Sequence, residues 1–116
     1  MNAAEPIVHV IDDEADVRQA LALLMRSVNL KARTYASAQE FLSGYESSSP
    51  GCLVVDVRLP GMSGLELQER LTQAGIALPI IVMTGHGDIQ MAVRAMRAGA
   101  LDFVEKPFHD LSLIHI

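Results

Sequence analysis

The sequence predicts an α/β fold, a five-stranded parallel sheet covered by helices. Five short β-like runs alternate with helical patterns along 116 residues, the order produced when helices cross over between parallel strands. Hydrophobic residues make up 50% of the chain, a high share that is typical of a sheet buried on both faces. This length suits one core, so residues 1–116 are expected to form a single domain.

The predicted strands differ in how continuously apolar they are. In chain order they are IVHVI (7–11), KARTY (31–35), CLVVD (52–56), PIIVM (79–83) and LDFVE (101–105). The first, third and fourth are almost entirely apolar, which is typical of central parallel strands. The second and fifth are mixed, which favours flanking or edge positions. Pattern alone does not give the order of the strands in the sheet.

Helical patterns lie between the strands. The first places one stripe of apolar side chains at Val17, Leu21, Leu24, Met25 and Val28. Ser37 and Glu40 have the spacing of a capping box at the start of the second helix. The third helix is expected to begin at Gly64. The fourth follows Asp88 and stops at Gly99, with Ile89, Val93 and Met96 on one face.

Composition excludes several classes of function for this domain. The net charge is −5, there is no Trp, and no basic stripe appears, so the domain is a poor candidate for binding DNA directly. No apolar run approaches the roughly 20 residues of a membrane span, and the N-terminus lacks the pattern of a secretory signal. Cys52 is the only cysteine and is expected to be a small core residue. These features favour the cytoplasm.

Chemically active side chains follow four of the five predicted strands. The residues are Asp12, Asp13, Asp56, Thr84 and Lys106. Taken singly, they have ordinary explanations: a helix N-cap for the aspartate pair, a turn former for Asp56, loop residues for the others. In a parallel sheet, however, they share one edge, where functional groups collect. Three clustered carboxylates need compensation, which a hard cation such as Mg²⁺ supplies through oxygen ligands. A carboxylate at such a site can also hold a phosphoryl group.

The segments VHVIDDEADVRQAL, CLVVDVRLPGMSGLEL, LPIIVMTGHGD and MRAGALDFVEKPF resemble response-regulator receiver domains of two-component signalling. These segments cover nearly the whole chain in the family's order, and their sequence most resembles the FixJ type. The resemblance implies a doubly wound, flavodoxin-like sheet of order 2-1-3-4-5.

The resemblance also implies roles for individual residues. Asp56 is the phosphoacceptor, Asp12 and Asp13 hold Mg²⁺ together with Asp56, and the backbone carbonyl of Arg58 is a further metal ligand. Thr84 binds the phosphoryl group and, with Phe103, acts as the switch pair. Lys106 pairs with Asp56 or with the phosphoryl oxygens.

Three further features follow from the resemblance. The Lys106–Pro107 peptide is expected to be cis. Arg58 and His86 flank the site, where residues tune how fast the phosphate is lost. Phe103 lacks the hydroxyl that many relatives carry as Tyr.

Only nine residues follow Pro107, too few for the family's usual fifth helix. The chain is therefore expected to be a truncated receiver whose bare apolar surface favours dimerisation or domain swapping. The implied partners are a sensor histidine kinase and a second receiver on phosphorylation. DNA would be reached only through a LuxR-type helix-turn-helix domain that this chain lacks.

Three other interpretations remain open at this point. A magnesium phosphohydrolase of the haloacid-dehalogenase class also uses an aspartyl phosphate, but DDEAD (12–16) lacks its D-x-D-x-T pattern. A flavodoxin-like FMN protein needs hydroxyl-rich phosphate contacts where this chain has acids. A stand-alone receiver acting only by protein contact fits the sequence as well as one with an output domain.

Overall fold

A computed structural model describes residues 5–46, 50–85 and 87–106 of the chain. Strands and helices alternate throughout. They are β1 (Ile7–Ile11), α1 (Ala15–Ser27), β2 (Lys31–Tyr35), α2 (Ala38–Gly44), β3 (Gly51–Asp56), α3 (Gly64–Gln73), β4 (Ile80–Thr84), α4 (Ile89–Arg97) and β5 (Asp102–Glu105). Every strand lies within one residue of its predicted bounds at each end.

All five strands are parallel and lie in the order β2-β1-β3-β4-β5. This confirms the doubly wound topology that the resemblance implied. In the register of the sheet, Ile11 lies opposite both Tyr35 and Val55, and Asp56 lies opposite Met83. The residues after β1 and the last residue of β3 are therefore neighbours at one edge.

Alternate residues of the central strands point to opposite faces of the sheet and pack into two separate hydrophobic cores. On one face, residues such as Val10 and Val54 pack against Leu21 and Met25 of α1. On the other face, Ile11, Leu53, Val55 and Val82 pack against α2, α3 and α4. Every residue of β1 and β4 is buried, which confirms that the high hydrophobic content reflects a sheet covered on both sides.

The edge strands and the helix ends refine the sequence expectations. β2 and β5 are mostly exposed, as their mixed composition predicted. Ser37 accepts a hydrogen bond from the Glu40 N–H as expected, whereas the fully reciprocal capping box forms at Ser63 and Glu66, which was not predicted. Cys52 is only half-buried against the α1 core rather than a full core residue.

Several expectations lie outside the described residues. They concern His86, the Lys106–Pro107 peptide and the short segment 108–116 that was expected to fall short of a fifth helix. Within the described ranges, no helix is both long and apolar enough to cross a membrane.

Candidate functional site

Asp12 and Asp13 follow β1 directly, but neither caps α1. The N-cap position is Glu14, and its side chain makes no capping bond. Asp12 is fully buried. Its Oδ1 accepts from the Glu14 N–H at 2.8 Å, and its carbonyl oxygen accepts from the Arg18 guanidinium at 2.8 Å. These bonds fix the turn and the orientation of the Asp12 carboxylate, so the ordinary N-cap explanation fails.

Asp56 ends β3 and is 7% exposed. Its Oδ1 accepts from the Arg58 N–H at 2.9 Å, and its Oδ2 accepts from Lys106 Nζ at 2.8 Å. The backbone behind it is tightly packed, because a Cβ atom at Gly64 would come within 2.6 Å of the Asp56 carbonyl oxygen. The start of α3 therefore rests directly on the residue that was predicted to accept phosphate.

The structure brings the three predicted acids together. Asp12, Asp13 and Asp56 each offer one carboxylate oxygen, and these oxygens lie within 4.8 Å of one another. Asp12 and Asp56 are buried, while Asp13 faces solvent. Clustered carboxylate oxygens with an open side suit a hard divalent cation that keeps some of its waters, so the residues present fit a Mg²⁺ ion.

Lys106 bridges two of these acids. Its Nζ lies 2.5 Å from Asp12 Oδ2 and 2.8 Å from Asp56 Oδ2, with Glu14 Oε1 further away at 3.6 Å. Its backbone N–H donates to the Thr84 carbonyl oxygen at 2.7 Å, which continues the β4–β5 ladder past the end of β5. The ladder thus positions the ammonium over the site, where it touches both Asp12 and Asp56 rather than Asp56 alone.

Burial and charge act in opposite directions on this group of residues. Burial raises the pKa of Asp56 above its ordinary value, and the hydrogen bonds from Lys106 and the Arg58 N–H only partly offset that effect. Burial also tends to lower the pKa of Lys106, but its bonds to Asp12 and Asp56 outweigh burial and raise that pKa. Lys106 therefore stays protonated and supplies a fixed positive charge beside the two buried carboxylates.

Thr84 and Phe103 occupy neighbouring strands but different environments. Thr84 is 2% exposed, and its hydroxyl donates to the Val104 carbonyl oxygen at a long 3.4 Å. Such a bond is weak and easily exchanged. Phe103 is 38% exposed and lies on β5 opposite Val82. The structure thus places the aromatic ring partly in solvent and leaves the Thr84 hydroxyl without a strong partner among the described residues.

An ion pair that was not predicted ties two loops at this edge. Arg58 Nε lies 2.5 Å from Asp88 Oδ1, and Asp88 Oδ2 accepts from the Gly85 N–H at 3.0 Å. The bond to Arg58 is the main cause of a lowered Asp88 pKa. The sequence showed Asp88 only as the residue before a helix. Its partner lies 30 positions away, and nothing in the local pattern indicated the pairing.

A family model for the response regulator receiver domain matches residues 8–116 of this chain. The chain therefore belongs to the response regulator receiver family of two-component signalling, with the acidic pocket of Asp12, Asp13 and Asp56 at the carboxyl edge of its sheet. This confirms the resemblance stated from the sequence motifs.

Two curated relatives illustrate the match. Transcriptional regulatory protein FixJ of Azorhizobium caulinodans is 50% identical over 107 residues, which cover 92% of this chain and 51% of the relative. Response regulator protein TmoT of Ectopseudomonas mendocina is 45% identical over 114 residues, covering 98% of this chain and 52% of the relative. The chain thus spans about half the length of these relatives.

Solved structures agree with the fold. Response regulator StyR matches with a TM-score of 0.90 and 47% identity, over 97% of this chain and 57% of that chain. FixJ-N matches with a TM-score of 0.89 and 44% identity, over 97% of this chain and 90% of that chain. The likeness to the FixJ type predicted from the sequence is therefore found in both sequence and structure.

Proposed function

We propose that this receiver takes a phosphoryl group from the phosphohistidine of a sensor histidine kinase onto Asp56, in a reaction that requires Mg²⁺. The observation that carries the proposal is the position of Asp56. It ends β3 within 4.8 Å of two further carboxylates and 2.8 Å from the Lys106 ammonium. Chemistry at the end of β3, rather than β1, disfavours the phosphohydrolase interpretation.

The proposed step is an in-line displacement at phosphorus. A carboxylate oxygen of Asp56 forms the new P–O bond, the P–N bond to the donor imidazole breaks, and its electron pair returns to the imidazole. Lys106 offsets negative charge on the phosphoryl oxygens, and the hydroxyl of Thr84, which ends the neighbouring strand β4, donates to one of them. Self-catalysed phosphorylation and dephosphorylation are the only reactions proposed, so the domain is not assigned as an enzyme.

The proposed metal ligands are Asp13 and Asp56 directly, Asp12 through water, and the backbone carbonyl of Arg58. When bound, Mg²⁺ supplies positive charge that neutralises the attacking carboxylate and the transferred group. The residues fit this role because they offer only oxygen atoms. Asp12 is held in place by Glu14 and Arg18 rather than left free to rotate.

The output is proposed by analogy with the relatives. One is named a transcriptional regulatory protein and is about twice as long as this chain. We propose that residues 1–116 are the receiver part of such a regulator and control a LuxR-type helix-turn-helix domain, so that DNA contact is indirect. The cytoplasmic location predicted from the sequence belongs to this proposal, because the output would act where the DNA is. The alternative is a receiver that acts by protein contact alone, and the gene sequence downstream of residue 116 distinguishes the two.

Acetyl phosphate provides a direct test without the unidentified kinase. Incubation with acetyl phosphate and Mg²⁺ should raise the intact mass by one phosphoryl group, and EDTA should abolish the increase. Asp56→Asn should show none, whereas Asp102→Asn, an exposed acid on β5, should behave as wild type. A full mass increase in Asp56→Asn would contradict the assignment.

A further inference from the structure

Gln68 is a buried polar residue that the site chemistry does not use. It lies in the middle of α3 and is 3% exposed. Its Nε2 donates to the Ala95 carbonyl oxygen of α4 at 3.0 Å. The amide orientation is unambiguous, because a carbonyl oxygen only accepts and must face the NH₂ group. Gln68 Oε1 then points away and has no partner among the described residues.

The acceptor of this bond lies at a structurally sensitive point. The Ala95 carbonyl also accepts from the Ala100 N–H at 3.0 Å, and Gly99 donates to the Met96 carbonyl at 3.1 Å. With Gly99 at φ +109°, these bonds form a Schellman motif that ends α4. The next N–H, of Leu101, donates to the Ile80 carbonyl at 2.7 Å and starts the path into β5. Gln68 is therefore bonded to the same carbonyl, near the end of α4, that accepts from the α4–β5 turn (residues 98–101).

The other end of α3 is fixed to the phosphoacceptor strand. The Gly64 N–H donates to the Val57 carbonyl at 3.3 Å, and the Gly64 backbone packs against the Asp56 carbonyl. The Ser63–Glu66 capping box satisfies backbone N–H groups at this helix start and so stabilises it. One short helix thus touches Asp56 at its start and, one turn later, holds the end of α4 through Gln68.

We propose that Gln68 is a positioning residue that couples the phosphoacceptor loop to the α4–β5 turn. The inference rests on the proposed function, since it assigns a route by which phosphorylation reaches α4. Among the described residues, only one of the two polar groups of the Gln68 amide has a partner. The link to α4 is therefore a single bond, which a small shift of α4 can exchange for another partner. A contact with two such arrangements is the kind of element whose populations a phosphoryl group can shift.

The test compares amide NMR shifts with and without beryllium fluoride and Mg²⁺, a phosphoryl mimic. Gln68→Met keeps the length of the side chain but removes the donor. The control is Thr72→Val, which removes a neighbouring bond contained within α3, from Thr72 Oγ1 to the Gln68 carbonyl at 3.0 Å. In Gln68→Met, mimic-induced shifts at residues 98–101 should fall to about half of wild type or less. Shifts at residues 12–14 and 84–85 should persist, and Thr72→Val should respond throughout as wild type.

Equal responses at residues 98–101 in wild type and Gln68→Met would overturn the coupling role while leaving the proposed function intact. Absence of any response at residues 12–14 and 84–85 in wild type would overturn both. If Gln68→Met does not fold, the NMR signals of the Gln68 side-chain NH₂ group in wild type provide the test instead. They should shift when the mimic binds, and signals that stay unchanged while residues 12–14 respond would contradict the proposal.

Discussion

Lys106 determines the electrostatic character of the site at the scale of single residues. Two buried carboxylates would repel each other strongly without a counter-charge, and the ammonium contacts both of them. A bound cation and Lys106 would therefore share the same carboxylates. This sharing is consistent with a site that holds a metal weakly until phosphoryl oxygens add further ligands.

His9 is the other buried ionisable residue that stands out, and it lies far from the acidic pocket. It is 2% exposed in the middle of β1, its Nδ1 is 2.9 Å from the Tyr35 hydroxyl, and its ring packs against Phe41 and Tyr45. Its Nε2 has no partner among the described residues. Burial, and to a lesser degree the charge of Arg33, lowers the pKa of His9 below its ordinary value of 6.5.

This environment predicts a loss of stability in mild acid. Below pH 6.5, His9 binds a proton in the unfolded chain but stays neutral in the folded chain, because its folded pKa is lower. The free energy of unfolding therefore falls as pH falls from 6.5 toward the folded pKa. The slope for one proton reaches about 1.4 kcal/mol per pH unit. Urea unfolding of wild type and His9→Leu between pH 7.5 and 5 measures it. The wild-type value should fall relative to the variant, and parallel curves would show that His9 does not titrate on unfolding.

At the scale of elements, α3 links the core to the site because its first residue has no side chain. A Cβ atom at Gly64 would lie 2.6 Å from the Asp56 carbonyl oxygen. Gly75, just after α3, has φ +73° but open space around it. The two glycines are thus needed for different reasons, close approach in one case and a left-handed backbone in the other.

Replacing each glycine with alanine should separate stability from function. Gly64→Ala should destabilise the domain by about 1–3 kcal/mol through overpacking, and Gly75→Ala by about 1–2 kcal/mol through backbone strain. Only Gly64→Ala should slow phosphorylation by acetyl phosphate, because only it displaces α3 from Asp56. Urea unfolding and intact-mass time courses measure both quantities. A normal phosphorylation rate in Gly64→Ala would show that this contact supports the fold alone.

Local sequence patterns predicted the strands and helices well but did not predict the side-chain contacts that join them. Apolar runs located the strands within a residue, and residues at strand ends located the acidic pocket. The strand order, by contrast, came from the family resemblance. The Gln68–Ala95 and Arg58–Asp88 contacts join residues about 30 positions apart. Each of these residues is ordinary in its local sequence context, so no local pattern indicated the contacts. The predicted stripe on α4 shows the same limit. Periodicity found the helix, but the core uses Ala92 and Ala95, and the larger apolar side chains face outward.

At the scale of the whole molecule, one outward apolar surface lies on α4, on β5 and in the turn between them. The exposed side chains there are Ile89, Val93, Met96, Leu101 and Phe103. A groove of about 310 Å³ runs between α4 and Phe103. Contiguous exposed apolar side chains of this kind mark an interaction surface more often than a free one. The expected switch pair adjoins the same surface, since Phe103 is part of it and Thr84 is buried on the neighbouring strand β4.

We therefore expect the phosphoryl mimic to drive dimerisation through this α4–β5 surface. With beryllium fluoride and Mg²⁺, sedimentation equilibrium should show a dimer that Val93→Arg weakens about tenfold or more, because a charge is placed in an apolar contact. Leu23→Arg is the matched control, since Leu23 is equally apolar and 64% exposed but lies on α1. It should dimerise as wild type, and both variants should bind the mimic normally.

Equal weakening of the dimer by both substitutions would place the interface elsewhere. A dimer that forms equally well without the mimic would show that self-association does not depend on phosphorylation.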